Sequence, residues 1–224
     1  MSLTAGIVGL PNVGKSTLFN AITKKDILIA NYPFATIDPN VGIVTVPDSR
    51  LDVLTEMYNP KRTIPTTFEF TDIAGLVKGA SKGEGLGNKF LSHIREVDAI
   101  CEVVRCFDNE NIIHVEGATD PVRDIEIINI ELTLADLEVV QNRISKIEKK
   151  AQTTKDKDAV SELAVLNIIN DALNNDIPVR RLKFTEEEEK LIRSFNLLTS
   201  KPIIYIANID EKDIGKNNEY TNQV

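Results

Sequence analysis

The sequence predicts an α/β fold in which a mostly parallel sheet is flanked by helices and a helical hairpin is inserted. The first observation is a pair of near-continuous apolar runs, at residues 99–106 and 202–208. Strands that are buried on both faces of a parallel sheet require such runs. The second is a tight turn at residues 9–14, which separates a short apolar run from a stretch of helical composition. The third is the recurrence of apolar residues at steps of three and four between residues 127 and 173, which is typical of helices.

The first half of the chain supplies the other strands. Residues 3–9 form a predicted strand that ends at a glycine, and residues 18–22 have helical composition. Two β-rich runs follow at residues 41–46 and 66–72. The second of these precedes a glycine-rich stretch, with five glycines within residues 75–87. This order of strand, turn, helix and further strands is that of an α/β domain.

Two antiparallel helices are predicted between the two longest apolar runs. The helical spacing holds over residues 127–147, stops at a polar break over residues 152–158, and resumes over residues 159–173. Thr185 and Glu188 have the spacing of a capping box, which predicts a further helix that runs through residue 198.

Composition and charge narrow the function classes. The chain has 224 residues, of which 42% are hydrophobic and 27% charged, close to the globular average. The net charge of −8 gives no overall attraction to a phosphate backbone, so any nucleic-acid contact must be local. Two cysteines are too few for a disulfide framework or a four-ligand zinc site. No apolar run approaches the ~20 residues that cross a bilayer, and the start lacks a cationic leader, so we expect a cytoplasmic protein without membrane contact.

The strongest motif is GLPNVGKS at residues 9–16, which matches the phosphate-binding pattern G-x-x-x-x-G-K-[ST] between a strand and a helix. In this pattern backbone amides of the loop and of the helix N-terminus face a phosphate. Lys15 would supply a point charge to the β- and γ-oxygens, and the Ser16 hydroxyl would ligate Mg²⁺. The predicted nucleotide contacts in this segment are Asn12, Val13, Gly14, Lys15, Ser16 and Thr17.

Two further residues are predicted to complete a Mg²⁺ site with Ser16. Asp72 ends a strand and begins the pattern D-x-x-G, so its carboxylate can hold the ion through water while the amide of Gly75 approaches a γ-phosphate. Thr36 lies between the two motifs along the chain and is the candidate for a second hydroxyl ligand. Lys15 and Gly75 are therefore candidates for catalytic contacts with the transferred phosphate.

The last apolar run ends in a motif that bears on base recognition. GTPases usually carry Asn-Lys-x-Asp at this point, where the Asp carboxylate accepts hydrogen bonds from the two guanine donors at N1 and N2. This chain has Asn208, Ile209 and Glu211 instead, so the carboxylate is one methylene longer and the lysine is missing. A displaced carboxylate need not discriminate against adenine, and guanine selectivity should be weakened or lost.

Four segments together resemble one family. GLPNVGKST, NYPFATIDPNVG, TDIAGLVKGASKGEGLGNKF and NIDE occur in the order found in the Obg-like ATPases, the YchF family, within the Obg branch of the Ras-like P-loop proteins. The resemblance implies a Ras-like domain at residues 1–126 and 199–224, an inserted helical hairpin at residues 127–198, and ribosome association. It also implies a C-terminal TGS domain, which the 13 residues after Glu211 cannot hold.

The sequence leaves the positioning of the attacking water open. Ras-like enzymes use a Gln after the D-x-x-G glycine for this purpose, but this chain has Leu76, which offers no hydrogen bond. The resemblance makes His114 a candidate for the role; the alternative is an exposed loop histidine without a task. It also makes Asn12 a candidate ligand for K⁺ beside the phosphates; the alternative is a residue that satisfies loop backbone groups.

A local excess of positive charge marks the predicted hairpin tip. Residues 143–157 carry six Lys or Arg against two acidic residues, which gives +4 on a chain whose total is −8. This segment is either a solvated tip or a surface that contacts RNA, as ribosome association would require. We expect a slow, Mg²⁺-dependent ATPase that acts as a nucleotide switch. A nucleotide-sensing module with negligible turnover and an Obg-type GTPase are the alternatives.

Overall fold

The computed structural model of the chain describes residues 3–23, 40–73, 86–109, 117–154 and 156–224. Five strands form one sheet in the order β2-β3-β1-β4-β5. All neighbouring pairs are parallel except β2 with β3, so the prediction of a mostly parallel sheet is confirmed. The strands are β1 Leu3–Val8, β2 Asn40–Thr45, β3 Thr67–Asp72, β4 Ala99–Arg105 and β5 Ile203–Asn208.

Helices cover the sheet and extend beyond it. A hydrophobic core forms where the inner strands meet the helices, and Ile7, Ile73, Ile94 and Ile100 in it are fully buried. The helices are α1 Lys15–Thr23, α2 Ser49–Tyr58, α3 Leu86–Glu96, α4 Pro121–Thr154, α5 Lys157–Asn174 and α6 Glu186–Phe195, with 3-10 turns at Val179–Arg181, Leu198–Ser200 and Glu211–Asp213. Within the five described ranges, no helix is long and apolar enough to cross a membrane.

Strand β5 differs from its prediction. Its apolar composition predicted a strand buried on both faces, but within the described part of the chain it pairs only with β4 and lies at the edge of the sheet. Ile204 is 60% exposed, so the strand is not buried on both faces. An apolar run identifies a strand of a covered sheet but carries no information on which strand lies at the edge.

Helix α2 has no counterpart in the sequence analysis. Asp48 caps its first turn by accepting a hydrogen bond from the backbone N–H of Arg50, and Asn59 ends it in the left-handed conformation with φ of 41°. None of its residues is buried, and Met57 and Tyr58 are 69% and 75% exposed. The Asp48 cap was the sequence signal that could have identified it.

The helical hairpin is longer than predicted. Its first helix, α4, has 34 residues and spans about 50 Å, and the break before α5 is narrower than the predicted residues 152–158. The capping box of α6 is present, since the Glu188 backbone N–H donates to Thr185 Oγ1 and the Thr185 N–H donates to Glu188 Oε2. The helix ends at Phe195 instead of residue 198, because Asn196 turns left-handed with φ of 51°.

Helix α4 contributes to two cores. Ile128 and Leu132 pack in the core of the sheet, whereas Val140 packs with Leu166 and Ile169 of α5 in a second core. The predicted domain boundary between residues 126 and 127 therefore falls inside one continuous helix. The division of the chain into domains stays a prediction.

Candidate nucleotide-binding site

The loop at residues 9–14 connects β1 to α1 and requires its glycines. A Cβ on Gly9, which has φ of +153°, would lie 2.6 Å from the carbonyl oxygen of Val103. A Cβ on Gly14, which has φ of +101°, would lie 2.3 Å from Asn208 Nδ2. Asn12 is exposed and also adopts a positive φ of 63°. The backbone of the loop is thus held close to β4 and to the end of β5.

Lys15 begins α1 and is largely buried. Its side chain is 8% exposed, and its Nζ donates to the carbonyl oxygen of Leu10 at 2.8 Å. Burial lowers the pKa of Lys15 to about 8, an effect that attraction to Asp72 partly offsets. The ammonium group is therefore held inside the loop by a neutral carbonyl, for which an anionic phosphate oxygen is a stronger substitute.

Ser16 and Asp72 meet at the carboxyl ends of the inner strands. Ser16 Oγ donates to Asp72 Oδ2 at 3.1 Å. Burial raises the pKa of Asp72, whereas the hydrogen bond from Ser16 and the charge of Lys15 lower it. A hydroxyl and a carboxylate at one point are the oxygen ligands that Mg²⁺ takes when nucleotide phosphates and water complete its shell, so these residues fit that ion.

The base-recognition motif follows β5 directly. Asn208 Nδ2 donates to the carbonyl oxygen of Val13 at 2.8 Å, which joins the strand end to the phosphate loop. Asp210 accepts a hydrogen bond from the Lys212 N–H and forms an ion pair with its Nζ at 3.4 Å. Ile209 is half-buried, and Glu211 is exposed in the first turn after the strand. Asp210 is thus engaged by Lys212, whereas Glu211 is the more exposed carboxylate of this motif.

Several predicted site residues lie outside the described part of the chain. These are Thr36, Gly75, Leu76 and His114, whose roles stay predictions. The structure brings Lys15, Ser16 and Asp72 together and places Asn208 against the loop. Thr17 lies in the first turn of α1 with an exposed side chain.

The sequence analysis missed Asp136, a fully buried carboxylate of α4. Its Oδ1 accepts from the N–H of Leu198 at 2.9 Å, and its Oδ2 accepts from the N–H and the Oγ1 of Thr199, each at 2.7 Å. Asp136 falls on the same helical face as the buried Leu132 and Val140. An acidic residue at that spacing was the signal available in the sequence.

Glu102 on β4 is a second buried carboxyl group that the sequence analysis missed. It is 1% exposed, and neither carboxyl oxygen has a hydrogen-bond partner among the described residues. Burial raises its pKa to about 8; the charge of Arg180 opposes this shift and that of Asp124 adds to it. Glu102 is therefore protonated in the fold at neutral pH.

Comparison with known proteins identifies the family. The family model described as "50S ribosome-binding GTPase" matches residues 4–154, which is more than half of the chain. The chain belongs to this family of 50S ribosome-binding GTPases. Within the family, the resemblance to the YchF proteins that the motifs predicted is confirmed by curated relatives and by a solved structure.

The relatives at high identity carry one name. The chain is 64% identical over 215 residues to "Ribosome-binding ATPase YchF" of Bacillus subtilis, and covers 58% of that protein with 96% of its own length. It is 58% identical over 224 residues to the protein of the same name in Escherichia coli O157:H7, of which it covers 61% with its whole length. This member of the 50S ribosome-binding GTPases thus spans about three fifths of the curated relatives it matches.

A solved member of the group has the same fold. The structure of the Schizosaccharomyces pombe YchF GTPase superposes with a TM-score of 0.79 at 48% sequence identity. The match includes 97% of this chain and 60% of that chain. The predicted fold, with its helical insertion, is therefore that of a YchF structure.

Proposed function

We propose that the protein is a Mg²⁺-dependent nucleotide switch that binds ATP and hydrolyses it slowly. The observation that carries the proposal is the convergence of Lys15, Ser16 and Asp72 beside a glycine-held loop. The names of the relatives, which are ribosome-binding ATPases, support ATP as the substrate and the cytoplasm as the location.

Each residue of this group has a distinct task in the proposal. Loop amides from Asn12 to Gly14 bind the β-phosphate, and Lys15 exchanges the Leu10 carbonyl for phosphate oxygens. Ser16 and Asp72 would hold Mg²⁺, with Thr36 as a further ligand, and the ion would supply neutralisation of phosphate charge. The amide of Gly75 would contact the γ-phosphate.

The rate of hydrolysis depends on what orients the attacking water. The Leu76 side chain cannot hydrogen-bond to water, so we assign the orientation of the attacking water to His114. A K⁺ ion held by Asn12 is a second contributor to catalysis. The competing function is a sensor whose ATP and ADP forms meet different partners without useful turnover. Single-turnover hydrolysis by the parent, His114→Ala and His93→Ala proteins, each in K⁺ and in Na⁺, separates these alternatives. An undiminished rate in the His114→Ala protein would exclude His114 from the hydrolysis mechanism. Equal rates in K⁺ and in Na⁺ would exclude a role for the cation.

Base preference is the second point on which candidate functions differ, since the Schizosaccharomyces pombe relative is called a GTPase. We expect ATP to bind at least as tightly as GTP, because Glu211 and Ile209 replace the residues that recognise guanine. The double change Ile209→Lys with Glu211→Asp should shift the preference toward GTP by about tenfold, or 1.4 kcal/mol. Titration calorimetry with both nucleotides measures this shift.

A matched control is available next to the motif. Ile214→Lys with Glu219→Asp makes the same changes of residue type at exposed positions outside the motif and should leave the preference unchanged. A tenfold preference of the parent protein for GTP would contradict the base-recognition argument and favour the GTPase.

We further propose that the hairpin tip contacts ribosomal RNA. Lys146, Lys149 and Lys157 are exposed near the junction of α4 and α5. This junction lies about 50 Å along α4 from its start. Arg143 forms an ion pair with Glu162 and stacks over the ring of Phe195, so it has a packing role in the hairpin. Exposed lysines near the end of the α4–α5 hairpin can contact RNA phosphates, although the net charge of −8 on the whole chain would repel them.

Reversing two tip charges should weaken ribosome binding in a salt-dependent way. In the Lys146→Glu, Lys149→Glu protein, the slope of log K against log salt should fall by about two, because each lysine would neutralise one RNA phosphate. Binding to purified ribosomal particles across a salt series measures the slope. The control, Lys61→Glu with Arg62→Glu, makes the same charge change at exposed positions after α2. Equal slopes in both variants would contradict RNA contact by the tip and would favour a solvated tip without a binding role.

A further inference from the structure

Strand β5 connects the helical hairpin to the phosphate loop. Within the described residues it has one neighbouring strand, β4, with a register from Ile100 opposite Ile203 to Arg105 opposite Asn208. Contacts at its two ends add to this ladder in fixing its position.

The amino-terminal end of β5 is attached to the hairpin. The 3-10 turn Leu198–Ser200 precedes the strand, and its N–H groups at Leu198 and Thr199 both donate to Asp136 of α4. Thr199 Oγ1 donates a third hydrogen bond to the same carboxylate. The carboxyl-terminal end is attached to the nucleotide site, where Asn208 Nδ2 donates to the carbonyl oxygen of Val13.

The Asp136 contact is buried and made of several hydrogen bonds. Its side chain is fully buried, so water cannot replace the three donors, and Arg95 Nη1 of α3 lies 3.7 Å from Oδ1 as the counter-charge. Lys201 Nζ donates to the carbonyl oxygens of Arg95 and Val97, which fixes the segment between the turn and β5 to the end of α3. The start of β5 is therefore tied to α4 through Asp136 and to the end of α3 through Lys201.

We propose that Asp136 is a positioning residue that sets β5 against the phosphate loop and thereby couples the hairpin to the nucleotide site. The strand spans about 20 Å and transmits a shift along its axis from the 3-10 turn to Asn208. Because coupling between two sites is reciprocal, a ligand of the hairpin would change nucleotide affinity by the same factor by which nucleotide changes the affinity for that ligand. The inference rests on the proposed function.

Replacing Asp136 by Asn tests the proposal. An amide has one acceptor oxygen, so the N–H of Leu198 or of Thr199 loses its partner while the shape of the side chain is kept. We expect the dissociation constant for Mg-ATP to rise three- to tenfold, although Asp136 lies outside the nucleotide site. We also expect the side-chain amide resonance of Asn208 to shift in the NMR spectrum. Both are measured on the folded protein, well below its melting temperature.

The control variant is Thr185→Ala, which removes the capping box of α6 in the same hairpin without touching the 3-10 turn or β5. It should destabilise the hairpin as the loss of an exposed N-cap does, and leave ATP affinity and the Asn208 resonance unchanged. If Asp136→Asn does not fold, Thr199→Val replaces it, since this change keeps both backbone donors to Asp136. It removes the hydroxyl, which donates to Asp136 and accepts from the N–H of Val179.

The outcomes are distinguishable. ATP affinity in the Asp136→Asn or Thr199→Val protein equal to that of Thr185→Ala would overturn the positioning role. An unshifted Asn208 resonance would do the same, because it would show that β5 has not moved at the loop. Failure of the parent protein to bind Mg-ATP would instead overturn the proposed function.

Discussion

The Lys15→Met protein will be more stable than the parent without nucleotide and will gain no stability from Mg-ATP. Burial lowers the pKa of Lys15 from 10.5 to about 8, so the folded state carries this charge at a cost at neutral pH. The shift corresponds to about 3 kcal/mol, from which about 1 kcal/mol is subtracted for the lost bond to the Leu10 carbonyl. The net gain in unfolding free energy is about 2 kcal/mol, measured by urea denaturation at pH 7.

The lowered pKa of Lys15 determines how the stability difference between the two proteins depends on pH. Below pH 8 Lys15 is charged in the folded and unfolded states, and the full cost is present in the parent. Between pH 8 and 10.5 the folded state loses this proton before the unfolded chain does, so the parent gains stability with rising pH. Above pH 10.5 the charge cost is gone, and the variant should be the less stable protein by about 1 kcal/mol, the lost hydrogen bond. Lys61→Met, at an exposed position, should change neither stability nor nucleotide response. A thermal shift by Mg-ATP in Lys15→Met equal to that of the parent would refute the phosphate-site assignment.

The Glu102→Gln protein will also be more stable than the parent, by about 3 kcal/mol at pH 7. The pKa of Glu102 is raised from 4.5 to about 8 in the fold, so folding requires the carboxyl group to take up a proton at neutral pH. Gln has nearly the same shape and is neutral at every pH. The gain should be absent below pH 4.5, grow as the pH rises to 8, and stay constant above it.

Denaturation at a series of pH values measures the difference between the two proteins. Arg180 and Asp124 are the charged groups that act on Glu102, and both remain in the variant. Glu138→Gln, on the exposed side of α4, is the control and should follow the parent at each pH. A constant difference between Glu102→Gln and the parent from pH 4.5 to 8 would contradict a protonated Glu102.

Local signals predicted most of the fold and the phosphate loop. Gly9 and Gly14 are required by backbone conformation and by close approach, both of which act over a few residues, so a motif captures them. The hairpin and the α6 capping box follow from periodicity and from a four-residue pattern. Such features need no knowledge of how distant segments meet.

The features that escaped prediction depend on distant segments. Asp136 contacts Thr199 across 63 positions of the chain, and no local pattern pairs them. The burial of Glu102 and the exposure of Ile204 depend on which distant segments pack over β4 and β5. Both strands have the same apolar character in the sequence, so composition could not separate the central strand from the outer one.

The continuity of α4 has a consequence for how the protein unfolds. Leu132 completes one hydrophobic core and Val140 the other, two turns further along the same helix. Fraying that removes either residue from its core also disturbs the intervening turns, on which the second core depends. The two cores therefore share a cooperative unit, and the amides between them should exchange with solvent only when both cores open.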